Sequence, residues 1–180
     1  MKLKKNRFLL VPYASVRWGR GWPCSGLGLA VALTIGPAWG QELDAIRSCF
    51  AGAEAPLDCI GLTVQACVEE RPDGETTVGM VACIGAETAA WDQVLNEEYA
   101  ATMAAFREMD ATGDVVAEDF TREGKLREAQ RAWIAFRDAE CALQYARWGM
   151  GTLRQVVGAN CLLEETAERA VELQGMRALE

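Results

Sequence analysis

Histidine does not occur once in the 180 residues. Its absence removes the base of Ser-His-Asp and Cys-His catalysis, and the commonest zinc and iron ligand, in one step. No C-x-x-C pair is present either, so the usual spacing of a four-cysteine zinc site is missing. The main apolar run, Leu27 to Ile35, falls far short of the ~20 residues that a membrane-spanning helix needs, and Gly36-Pro37 closes it. No alternation of apolar and polar residues extends beyond four positions, and there is neither an internal repeat nor a low-complexity tract. Helices are what remains as regular structure.

What is present begins with an uneven distribution of charge. The first 40 residues hold Lys2, Lys4, Lys5, Arg7, Arg17 and Arg20 and no acid; the apolar run follows, and then Ala38-Trp39-Gly40. That order reads as a secretory signal over residues 1–40, cut before Gln41, which places the mature chain in the periplasm or outside the cell with no stable membrane insertion after cleavage. Cys24 precedes the apolar run, whereas a lipid-bearing cysteine would follow it. Without residues 1–40 the chain keeps 12 basic residues against 26 acids, a formal charge of −14. Such a surface repels nucleic acid and anionic headgroups and attracts a cationic protein. Acidity also serves plain solubility.

Six cysteines remain in the mature part: Cys49, Cys59, Cys67, Cys83, Cys141 and Cys161. An even count in an oxidising compartment reads as three disulfides. Cys141 and Cys161 lie ten residues either side of Gly151, in the turn Gly149-Met150-Gly151. Antiparallel helices joined there bring the two to one level, within reach of a bridge. The other four cysteines leave three pairings open. Cys59 with Cys67 is the least favoured if both sit on one helix, where eight residues span about 12 Å.

The helical pattern divides the chain in two. Over 41–75 there are short pieces: Gln41 to Phe50, a break from Ala51 to Pro56, then a second short helix capped by Asp58 and running through Val68. Arg71-Pro72-Asp73-Gly74 is a turn. Over 76–180 the pattern predicts three longer helices. The first opens at Thr76 or Thr77 and runs to about Met109, with Trp91, Leu95, Tyr99, Met103 and Phe106 on its inner stripe. The second runs from Thr121 or Lys125 to Trp148, with Leu126, Gln130, Trp133, Phe136, Arg137 and Cys141 near one face; the third starts near Asn160. The expected fold is all-α, a small disulfide-stapled bundle of about three longer helices with short N-terminal helices.

Acids are plentiful, so a carboxylate pair for glycoside hydrolysis is formally available, but glutamates on helices chiefly form solvated faces. No nucleophile, general base or cofactor site stands out, and the chain reads as a non-enzyme. The distinctive stretches are Trp91-Asp92-Gln-Val-Leu95-Asn96-Glu-Glu-Tyr99 and Ala129-Gln130-Arg-Ala-Trp133-Ile-Ala-Phe-Arg137-Asp138-Ala-Glu-Cys141. Asp92, Asn96 and Tyr99 share one helical face, and Trp133, Arg137 and Cys141 share another. Antiparallel packing of the two helices pairs Arg137 with Asp92 or Asn96, beside an aromatic core of Tyr99 and a buried Trp133. Such a network sets register in preference to holding a ligand.

Together with Cys161-Leu-x-x-x-Thr166-x-x-Arg169-Ala-x-x-Leu173, these stretches resemble the LprI-type lysozyme-inhibitor-like family of exported bacterial proteins, over about residues 76–175. The resemblance implies an exported helical domain, no cofactor, and a protein partner such as a c-type lysozyme. It leaves two functional readings. In one, the acidic chain blocks a cationic lysozyme, with Glu69 to Thr76 or Asp110 to Glu123 as the inserted loop, carrying Asp73, Glu75, Asp114, Glu118 and Asp119. In the other, the chain is a structural or protein-interaction module of the periplasm without lysozyme activity.

Overall fold

The computed structural model describes residues 38–113, 117 and 120–177; the expected signal segment up to Pro37, Cys24 included, lies outside them. Five α-helices and one 3₁₀ turn follow in order: α1 Ala38–Gly52, the turn Pro56–Cys59, α2 Leu62–Glu70, α3 Thr77–Ala111, α4 Arg122–Arg147 and α5 Leu153–Arg177. No strand occurs among the described residues.

α3 is the axis of the molecule. At 1.5 Å per residue its 35 residues extend about 50 Å, and it packs against each of the other four helices, most extensively against α5. Trp91, Val94, Leu95 and Met103 of α3 meet Leu163, Ala167, Ala170 and Leu173 of α5 in the core. Small residues at 167 and 170 let the two backbones approach, while Leu163 and Leu173 fill the space on either side. α1 closes the other flank with Leu43, Ile46 and Phe50, and the Phe50 ring meets Trp91 edge-on at 5.7 Å. α4 is the outermost long helix and buries only Leu126, Gln130 and Cys141.

α3 and α4 each start on a threonine cap. Thr76 Oγ1 accepts the Gly79 amide and Thr121 Oγ1 accepts the Gly124 amide, each at 3.0 Å. α4 stops where Gly149 takes a φ of +57°, the left-handed conformation that ends many helices.

Four expectations need correction. α1 begins at Ala38, ahead of Gln41, and ends at Gly52, two residues into the break read at Ala51 to Pro56, whose remainder up to Ala55 is non-helical. Asp58 does not cap α2, because it lies inside the 3₁₀ turn; Gly61, at φ +86°, is the N-cap residue, and its lack of a capping side chain is made good from α3. α5 starts at Leu153, seven residues ahead of Asn160, since Leu153, Val156 and Val157 continue the helical pattern and Gly158 is accommodated within it. Phe136 points outward at 55 % exposure, for the face of α4 that turns inward is set by Leu126, Gln130 and Cys141.

Three disulfides link these elements: Cys49 to Cys59, Cys67 to Cys83, and Cys141 to Cys161. The first holds α1 to the 3₁₀ turn, the second ties α2 to the start of α3, and the third spans the α4–α5 hairpin.

Candidate functional site

The motif residues of two helices converge on one open groove. Asp92, Leu95, Asn96 and Tyr99 of α3 face Gln130, Trp133 and Arg137 of α4 around a volume of about 410 Å³, with Arg127, Arg131 and Ile134 at its rim. Leu95 and Gln130 are buried, Tyr99, Trp133 and Arg137 are half-buried, and Asp92 and Asn96 are exposed. Asp138 lies outside the lining and bonds to Arg137.

Arg137 is paired differently from the expectation. Its Nε and Nη2 donate to Asp138 Oδ1 at 3.0 and 2.9 Å, and its guanidinium sits 5.1 Å from the Trp133 ring. The adjacent carboxylate and the aromatic face one turn earlier satisfy it locally, so it makes no bond to Asp92 or Asn96. Those two bond to each other: Asn96 Nδ2 donates to the Asp92 carbonyl at 2.7 Å and to its carboxylate at 3.2 Å. Trp133 is half-buried where burial was expected, because α4 lies at the edge of the bundle.

The second guanidinium against Trp133 belongs to Arg169 of α5, 5.8 Å from the ring. Arg169 is 6 % exposed; its Nε donates to Gln130 Oε1 at 2.9 Å and its Nη1 to Glu172 at 2.6 Å. Trp133 is thus held by one arginine from its own helix and one from α5. Arg169 stands in the third motif segment, but nothing in that segment says that it reaches Gln130. A further link joins α5 to α3: Arg177 is ion-paired with Glu98 and donates to Thr102 Oγ1 at 2.7 Å, and Thr102 Oγ1 donates to the Leu173 carbonyl at 2.9 Å.

A second hollow, of about 380 Å³, lies along α4 and α5 beside Cys161. Glu140, Glu164, Glu165 and Glu168 line it, and none of them forms an ion pair among the described residues. Burial, followed by the charges of Glu168, Glu140 and Glu164, raises the Glu165 carboxyl above its ordinary value.

In the loops expected to carry the acids, Asp73 and Asp110 are used internally, while Glu75 is exposed with no ion pair among the described residues. Asp73 is gripped by Arg71 at 3.0 and 3.1 Å, and that hydrogen bond in the first place lowers its pKa. Asp110 caps α4 by accepting the Arg122 and Glu123 amides, both at 3.0 Å. Asp114, Glu118 and Asp119 lie outside the described residues. The acids of the helical hollow, which the sequence scatters over two helices, are the ones gathered at one place without ion pairs among the described residues. Among the described residues no cluster of three acids or cysteines is arranged to hold a metal ion.

The family model described as "Lysozyme inhibitor LprI" matches residues 67–173, more than half of the chain and all of both motif helices. The chain belongs to the lysozyme inhibitor LprI family. It is 33 % identical over 110 residues to an uncharacterized protein of Rhizobium meliloti (strain 1021), covering 59 % of this chain and 79 % of the relative. It is 28 % identical over 137 residues to the uncharacterized protein YecT of Escherichia coli (strain K12), covering 72 % and 84 %. To an uncharacterized 17.7 kDa protein of Rhodobacter capsulatus it is 28 % identical over 153 residues, covering 82 % and 93 %. The last two alignments are longer than residues 67–173, so the likeness reaches into the N-terminal pieces as well. No solved structure matches the chain. Among the described residues, no helix of this LprI-family chain is long and apolar enough to cross a membrane.

Proposed function

We propose that this LprI-family chain is exported, loses residues 1–40 as a signal, and binds a cationic c-type lysozyme as an inhibitor-like protein, without enzymatic activity of its own. The observation that carries the reading is the hollow of Glu140, Glu164, Glu165 and Glu168, four carboxylates that form no ion pair among the described residues, in a member of an inhibitor family. Like charges gathered with only the nearby Arg137 against them repel one another, and a cationic partner relieves that repulsion while its approach is steered by the −14 of the mature chain. Trp133 and its two arginines serve this reading by fixing α4 against α5, which keeps the carboxylates together.

The test is protection of bacterial cells from c-type lysozyme at low and high salt. Protection should be strong at low salt and fall as salt rises. A Glu164→Lys/Glu168→Lys variant should need more than about tenfold higher concentration, since it reverses two of the steering charges. Folded protein that protects at neither salt concentration refutes the inhibitor reading and leaves a protein-interaction module of the envelope. Intact-mass measurement of the exported protein checks the cut before Gln41.

A further inference from the structure

The tip of the α4–α5 hairpin differs in character from the rest of the molecule. Trp148, Met150 and Leu153 stand 49 %, 88 % and 45 % exposed at the turn, with Leu143 of α4 exposed nearby. A large apolar side chain alone on a surface is ordinary, but three within six residues at a convex turn are not. The local charge is also reversed. From Cys141 through Leu163 there is no acid at all, although the chain carries 26, while Arg147 and Arg154 flank the turn.

The ion pairs sharpen this contrast. Of the 12 basic residues after Gln41, nine are ion-paired among the described residues, and Arg147 and Arg154 are two of the three that are not paired there. Arg154 donates to the Gly149 carbonyl at 2.9 Å and lies 5.0 Å from the Tyr145 ring, so it braces the turn while its charge stays uncompensated. Arg147 reaches only Gln144, at 3.1 Å. The Cys141–Cys161 bridge holds the two helices together below. The tip is therefore a fixed apolar knob beside two guanidiniums that pair with no carboxylate among the described residues.

We propose that this tip is a peripheral contact with the anionic surface of a lipid bilayer, seating Trp148, Met150 and Leu153 among the headgroups while Arg147 and Arg154 meet lipid phosphates. A tryptophan with adjacent arginines suits the boundary between headgroups and acyl chains, where an apolar body and a polar or charged end are both accommodated. A cationic lysozyme would be repelled here, so this surface is separate from the acidic hollow. The overall charge of −14 argues against membrane approach only where it is felt. Residues 147–153 lie about 10 Å or more beyond Glu140 along the helix, and charges that far apart are largely screened at physiological salt. The two arginines then supply attraction to anionic lipid, and the apolar side chains supply the rest.

Flotation of the exported protein with vesicles of phosphatidylethanolamine and phosphatidylglycerol, against vesicles of phosphatidylcholine alone, tests the proposal. Binding is expected to the anionic vesicles only. It should weaken more than about tenfold in Arg147→Glu/Arg154→Glu and in Trp148→Ser/Met150→Ser. Trp148→Ser/Met150→Ser and Arg147→Glu alone change exposed side chains and should melt like the parent. Arg154, half-buried against Tyr145, braces the turn, so Arg147→Glu alone should already weaken binding. Binding should also shift tryptophan emission to the blue, and Trp148→Phe should remove the shift. Equal binding to phosphatidylcholine, binding that the tip variants leave unchanged, or no binding would each overturn the proposal. So would sedimentation of a dimer that the tip variants dissolve, which would make the tip a contact between copies of this chain.

Discussion

The buried carboxylate of Glu87 accepts the indole N–H of Trp91, one turn further along α3, at 3.2 Å. The same carboxylate accepts the amides of Gly61, Thr63 and Val64 and the Thr63 hydroxyl, at 2.6 to 2.9 Å. An acid on one helix thus caps another helix, and its charge faces the positive end of the α2 dipole. Glu87 is fully buried, and every one of these partners is a donor.

Glu87→Ala should therefore cost about 3 to 5 kcal/mol, the usual consequence of removing one side of a buried charged network. Glu87→Gln keeps the size but turns an amide group toward donors, and should fall between the parent and alanine. Urea unfolding measures both. An unchanged midpoint for Glu87→Ala would mean that α2 does not depend on this cap.

Peptide mapping without reductant should return Cys49–Cys59, Cys67–Cys83 and Cys141–Cys161. Replacing Cys141 and Cys161 by serine frees a loop closed over 20 residues and should cost about 3 kcal/mol. Cys141 linked to any other cysteine would be incompatible with the α4–α5 hairpin.

Features repeated along one helix were legible in the sequence; those that depend on which helices meet were not. The inner stripe of α3 could be read from Trp91, Leu95 and Met103 because helical spacing alone puts them on one side. The level of Cys141 and Cys161 follows from the glycine turn between them. Glu87 carried no such signal: in sequence it is one more helical glutamate, and only the fold brings the N-terminus of α2 onto it. Arg169 and Gln130 are 39 residues apart, and their bond at 2.9 Å requires the packing of α4 on α5. Arg137 misled for a related reason, since Asp138 and Trp133 on its own helix satisfied it before any distant partner could.

Trp133→Ala should cost about 2 to 3 kcal/mol, less than a fully buried tryptophan, because the ring is only half-buried but supports Arg137 and Arg169. Trp133→Phe keeps an aromatic face and should cost about 1 kcal/mol. Thermal melting of the two variants separates these outcomes. A Trp133→Ala variant that melts with the parent would mean that neither guanidinium depends on the ring.

Glu165 has a folded-state pKa above its ordinary value, first through burial and then through Glu168, Glu140 and Glu164, with Arg137 opposing them. A raised carboxylate pKa means that the folded chain holds this proton more tightly than the unfolded chain does. Stability then falls as pH rises from the ordinary glutamate value through the raised one, and the loss is complete above both. Glu165→Gln cannot ionise, so its melting temperature should exceed the parent's at pH 7, and the difference should close below pH ~4.3. The same substitution removes a charge from the face proposed for a cationic lysozyme. It should therefore weaken protection against lysozyme while it strengthens the fold, a combination that damage to the fold cannot produce. Binding of lysozyme to the parent near pH 5 should release protons, seen by calorimetry as a heat that varies with the ionisation enthalpy of the buffer. Melting temperatures that coincide at every pH would show that Glu165 carries no such strain, and weakened protection without stabilisation would assign it to the partner contact alone.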